Sequence, residues 1–343
     1  MAPATTTRLV SLDAFRGFTM FWIIGGSALV LALQKLGSHP VIDGLAYQVR
    51  HSEWQGLRYY DLIWPSFMLM TGMSLPFSYA KRSLTESHGR ITLRVLRRAL
   101  VLFLLGSLRE SVHLNAPHLV ELSSALQPIG IAYFCAFLVV RRSWRFQAAT
   151  AALIWAGYAL LLAPFGYQKG ANLVLTVDLA VLHRSLPEGW GTVLSTIPTI
   201  ATTILGLLLG RLLRSARPAG DKTRILGAVG IGCLALGWAL HPVVPIIMKL
   251  WTTSYGLASA GWACLLFLFF YWVVDVRGYR RWAFPLGVIG ANAVAIYMAQ
   301  TLVPLRRIVG IFTFGPVSQA LAVLLVEWLI LYWMYRRKIF LTA

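Results

Sequence analysis

The sequence predicts an all-α polytopic membrane protein, a bundle of about ten transmembrane helices with both termini cytoplasmic, forming one domain over residues 1–343. Three observations predict it. Hydrophobic residues make up 58% of the chain and charged residues only 13%, with a mean hydropathy of +0.68, a balance foreign to soluble domains of this length. Long apolar runs recur with short polar breaks, each run approaching the roughly 20 residues that a bilayer requires. The basic residues alternate between connections: Arg8 and Arg16; Lys81 to Arg98; Arg141, Arg142 and Arg145; Arg211 to Arg224; Arg277 to Arg281; and Arg336 to Lys338. These hold 22 of the 31 Lys and Arg, against 9 on the other side, which places them in the cytosol. The net charge of +19 is therefore topological, and no nucleic-acid partner is expected; membrane lipid is.

The spans are expected at about 16–35, 60–80, 96–112, 124–140, 147–165, 195–213, 225–241, 253–274, 285–303 and 317–335. The first run lacks the short apolar core and cleavage site of a signal peptide, so it is expected to be a retained helix. Asp13 and Arg16, three apart, share a face and can pair, as an anchor or in a site. Gly17, Gly25 and Gly26 thin one wall of that helix. Pro65 and Pro76 in the second span free backbone carbonyls, tolerated where they meet protein or water. Arg90, Arg94, Arg97 and Arg98 follow at helical spacing, either as a topogenic cluster against anionic lipid or as a phosphate clamp. The connection from Gly166 to Leu194 is the longest and carries Asp178, His183, Arg184 and Glu188. Lys249, Trp251, Ser254 and Tyr255 cluster where the eighth span begins. Asn292 lies mid-span, where an amide bonds a neighbouring helix or points at a ligand. Glu327 reads as a paired structural carboxylate. Cys135, Cys233 and Cys264 sit in apolar runs as small buried hydrophobes, so neither a disulfide framework nor a metal site is expected.

The chemistry concentrates at 51–78, HSEWQGLRYYDLIWPSFMLMTGMSLPFS. A polar stretch there runs straight into an apolar span. It brings an imidazole, His51, near two carboxylates, Glu53 and Asp61, and the guanidinium of Arg58. Ionisable groups at the edge of a bilayer are costly and usually mark a functional path. The charge pattern puts His51 on the outer face. A lone loop histidine is often merely solvated, but these neighbours can orient and tune one.

Several stretches together resemble the heparan-α-glucosaminide N-acetyltransferase family: SLDAFRGFTM at 11–20, the 51–78 stretch, RVLRRALVLFLLG at 94–106, LPEGWGTVLSTIPTIATTILGLLLG at 186–210, KLWTTSYGL at 249–257, VVDVRG at 273–278 and GANAVAIY at 290–297. They keep the family's order and cover nearly the whole chain. The histidine followed by Trp, Gly-Leu, Asp-Leu and Pro is the most specific of them. The resemblance implies transfer of an acetyl group from cytosolic acetyl-CoA to an amine across the membrane, with the family's catalytic histidine falling on His51. It places Ser27 where human-type members carry an asparagine, and Gln127-Pro128 where relatives usually carry Gln-Arg. Asn292 matches a mid-span asparagine of the family.

Acyl transfer requires a base for the amine, stabilisation of the oxyanion and a path for the thioester. His51 is expected to be the base, or the nucleophile of an acetyl-imidazole, with Asp61 or Glu53 orienting it. Asn292 and Ser27 are candidate donors to the carbonyl oxygen. Glu53, Trp54, Arg58, Lys249 and Tyr255 are candidate contacts to the acceptor, an amino sugar or other glycan amine. Lys81, Arg94, Arg97 and Arg98 are the candidate grip on the CoA phosphates. No metal is called for. The expected location is a bacterial inner membrane, and a homodimer is left open. The rival reading is a transporter or flippase, against which the lack of an inverted repeat counts.

Overall fold

The computed structural model describes residues 9–313 and 315–341, so Arg8 lies outside the described residues. Among the described residues every regular element is helical, and the backbone bridge between Gln168 and Ala171 is isolated. Six helices are long and apolar enough to cross a membrane: Val10–Gln34, Trp144–Phe165, Thr196–Arg214, Ala219–Leu240, Thr253–Val276 and Pro316–Arg336. Phe284–Ala291 and Ala293–Leu302 make a seventh if they are one broken span, bent by 68° at Asn292. The chain is an integral membrane protein of all-helical build.

The expected spans at 60–80, 96–112 and 124–140 are also helical, as Ile63–Arg82, His88–His113 and Leu126–Leu138, but they fall outside that set. Pro65, Pro76 and three serines dilute the first. Arginines run through the second, from Arg90 to Arg109. The third has 13 residues, about 20 Å at 1.5 Å per residue, short of a hydrocarbon core of about 30 Å. Three expected connections carry α-helices of their own, the shortest being Leu305–Gly310. Pro40–Gln48 starts with proline in its first turn behind His39, whose Nδ1 accepts from the Val41 N–H. Leu173–Leu182 is capped by Asn172, whose side chain accepts from the Leu175 N–H at 2.9 Å.

The described chain divides into two compact units. The larger comprises Ser52–Leu57 and Trp64–Leu268. In it Ile63–Arg82 and Thr196–Arg214 cross backbone on backbone. A Cβ at Gly72 would strike the Thr203 carbonyl, one at Gly206 the Leu69 carbonyl, and one at Gly210 the Met73 carbonyl. Lipid is as apolar as a helix face, so such close contact, rather than exclusion of water, holds membrane helices together. The 166–194 connection is fixed by a buried cluster of Tyr158, Leu162, Val174, Ile247 and Leu250, with Trp54, Tyr167, Leu173 and Leu194 packed on it. Asp178 pins the same segment, accepting the Thr192 and Val193 N–H groups at 3.0 Å each.

The second unit comprises Leu9–His51, Arg58–Ile63 and the chain from Phe269 onward. Val10–Gln34 packs on Phe284–Ala291 through Gly17, which faces the Leu286 carbonyl, and Gly290, which faces that of Asp13. Asp275 closes the start of the first helix, accepting from the Ser11 N–H at 3.2 Å and the Ser11 hydroxyl at 2.5 Å. That helix widens to a π-helix over Trp22–Gly26, and the Thr253–Val276 helix does so over Tyr271–Val276. The Ile24 carbonyl in the first of these accepts from the Gln300 amide, which also reaches Glu327. Glu327 is thus a buried carboxyl group that accepts from Gln300 through one oxygen.

Candidate active site

The loop after the Pro40–Gln48 helix delivers His51, and a single 3₁₀ turn, Tyr59–Leu62, delivers Asp61. The His51 Nδ1–H donates to Asp61 Oδ1 at 2.9 Å. The other carboxyl oxygen, Oδ2, accepts from the Arg58 N–H at 2.9 Å, and the Asp61 N–H donates to the Arg58 carbonyl at 3.1 Å. Asp61 is therefore held from both sides and is wholly buried, while the His51 side chain is 38% exposed. Buried aspartate behind a half-exposed imidazole fixes the ring's plane and selects the tautomer with its lone pair at Nε2.

Arg58 completes the frame. Its guanidinium donates to the His51 carbonyl at 2.8 Å and lies 4.1 Å over the Tyr47 ring. The Tyr59 N–H donates to Gln48 Oε1 at 2.9 Å, and Tyr60 meets the His51 ring edge-to-face at 4.8 Å between centroids. The Pro40–Gln48 helix is itself tethered. Arg50 donates to Gln34, which in turn donates to Asp43, each at 2.9 Å. The Gln34 and Ser38 bonds hold the Asp43 carboxyl below the ordinary carboxylate range. Burial pushes the Tyr59 phenol up, so it stays a hydroxyl.

Ser27 donates to the Trp22 carbonyl at 2.8 Å, at the end of the π-helix. Asn292, fully buried at the break, donates to the Ile339 carbonyl at 3.0 Å and accepts from the Leu341 N–H at 2.9 Å. Glu53 is exposed. Trp54 donates from its indole to the Tyr167 carbonyl at 2.8 Å and forms part of the wall under the 166–194 connection. Lys249, 3% exposed, bonds the Glu188 carboxylate at 2.9 Å. Tyr255 is buried edge-on against Trp251.

At the other cluster, Lys81, Arg94 and Arg97 are exposed and Arg98 is half-buried over the Tyr133 ring at 4.9 Å. Glu86 draws Arg82 and Arg94 together at 3.7 and 3.1 Å. Arg97 is exposed on the same helix, a disposition suited to an anionic group. Among the described residues no group of three or more His, Cys, Asp or Glu side chains is placed to hold a metal ion.

No family model matches the chain. Human heparan-alpha-glucosaminide N-acetyltransferase is 23% identical over 372 aligned positions, covering 87% of this chain and 53% of that protein. The mouse enzyme of the same name is 23% identical over 373 positions, covering 87% and 54%. The chain is a distant relative of both. It spans about half the length of these curated relatives. Tyr47, Gln48 and Tyr60 were not legible as part of the frame. The signal available for the first two was the proline-headed helix that carries them.

Proposed function

We propose that this chain is a transmembrane acetyltransferase that moves an acetyl group from cytosolic acetyl-CoA to an amine, such as that of an amino sugar, on the outer side. The observation that carries the reading is the His51–Asp61 pair, a buried carboxyl group behind a half-exposed imidazole. Similarity to two acetyltransferases along most of the chain supports it.

In this reading the His51 Nε2 takes a proton from the acceptor nitrogen as that nitrogen attacks the thioester carbonyl. The C–N bond forms, the C–S bond breaks, and CoA leaves as its thiol with the proton that His51 returns. Asp61 holds the ring and stabilises the imidazolium while it lasts; Arg58 fixes both by its backbone and its guanidinium. Arg94, Arg97, Arg98 and Lys81 grip the phosphates of CoA. Ser27 and Asn292 are spent on bonds to the Trp22 and Ile339 carbonyls and are not assigned to the oxyanion. Ten spans, cytoplasmic termini and one catalytic domain over the whole chain belong to the same proposal. The test is CoA release by purified protein given acetyl-CoA and an amino sugar. Release that depends on both substrates supports transfer, and none with a panel of amines sinks it in favour of transport.

A further inference from the structure

We propose a carboxylate-binding site at Lys249 that the chain fills with its own Glu188 side chain, the place where a carboxylate-bearing acceptor would bind. Lys249 is 3% exposed, yet its counter-ion is 67% exposed. A buried ammonium whose partner reaches in from solvent differs from an ordinary core ion pair, in which both charges are enclosed. The Glu188 carboxylate takes the Lys249 ammonium at 2.9 Å, bonds the Trp190 side chain and feels the charge of Lys169, and these hold its carboxyl below the ordinary range. Trp190 also presents its ring 5.7 Å from the ammonium.

The plug is removable by construction. Lys249 keeps a second acceptor in the Glu188 carbonyl at 3.3 Å, and its own carbonyl accepts from the Gly191 N–H at 2.9 Å. The turn thus stays anchored by backbone when the carboxylate swings away into water. Glu188 and Gly189 both hold positive φ, +58° and +79°, and the Trp54 indole lies against Gly189. An indole and an ammonium at one carboxylate, with a second indole against the adjoining glycine, make a surface for a sugar acid: a ring for its C–H face, an ammonium for its acid group. Only the ligand's role as acceptor rests on the acetyltransferase reading; the binding site stands apart from it.

The experiment compares glucuronate with glucose as ligands of the purified full chain, by thermal shift and calorimetry at constant ionic strength. Self-occupancy lowers apparent affinity by the fraction of time the site is open, so Glu188→Ala should bind glucuronate roughly tenfold tighter than the unaltered chain. Glucose should bind both alike. Adding Lys249→Met to Glu188→Ala should abolish the gain, with Lys249→Gln used if the Met variant does not fold. Equal glucuronate affinity with and without Glu188, or a gain that survives loss of the ammonium, overturns the proposal. Failure to release CoA in the transfer assay would sink the enzyme reading and leave this result untouched.

Discussion

Asp61 bonds the His51 ring through one carboxyl oxygen and the Arg58 backbone through the other. Losing the aspartate therefore costs both the ring's orientation and the turn that places it. His51→Ala should reduce acetyl transfer on the order of 10²–10⁴-fold while acetyl-CoA still binds. Asp61→Asn should slow transfer with a smaller change in KM, because the amide still fills the space but misorients the ring. Normal turnover in His51→Ala with every amine tried would remove this residue from the chemistry.

Replacing Arg97 and Arg98 together by Ala should weaken acetyl-CoA binding and flatten its salt dependence, since exposed guanidinium–phosphate contacts are screened. Yield of folded protein should hold. An unchanged CoA affinity would return the cluster to a topogenic role.

Gly206→Val should reduce folded yield and thermal stability, because its side chain would enter the Leu69 carbonyl where two helices touch. Overpacking of this kind typically costs about 1–3 kcal/mol. Gly232→Val, where a Cβ meets nothing, is the control. Equal melting temperatures for the two would refute the close crossing.

The Glu188–Lys249 bond predicts an acid-side effect. Lys249 holds the Glu188 carboxyl below its ordinary value of 4.5, so the bond's contribution is complete above about pH 4.5 and is lost as pH falls through the lowered value. The high exposure of Glu188 keeps it small. Melting temperature against pH should lose that part of its acid slope in Glu188→Gln, and parallel curves would argue against it.

Cysteines at Gly37 and Ser83, both exposed, should react with an impermeant thiol reagent from opposite sides of the membrane, Gly37→Cys from outside. Labelling from the same side would overturn the proposed orientation.

The helical, membrane-embedded character of the chain was legible because hydropathy is read directly by the bilayer. Arg58 was legible as a charged group near the histidine but not as its scaffold. Its partners, the His51 carbonyl and the Tyr47 ring, are set by loop geometry that no periodicity encodes. Asn292 stood out as a mid-span amide, yet its partners Ile339 and Leu341 lie 47 and 49 residues on, a separation that sequence pattern does not reveal. The π-helices at Trp22–Gly26 and Tyr271–Val276 were silent too, since one extra residue per turn leaves an apolar run apolar. The run of arginines from Arg90 to Arg98 marked a charged helix end, and the same residues keep His88–His113 out of the set of helices apolar enough to span.

The Asn292 bonds also set an order of assembly. A buried amide left without partners is costly, and those of Asn292 lie beyond the Pro316–Arg336 helix. During synthesis the break between Phe284–Ala291 and Ala293–Leu302 therefore stays unfinished until that later helix has been threaded into the bilayer. Until Ile339 and Leu341 exist the amide has to bond some other group, and the native pair replaces that bond afterwards.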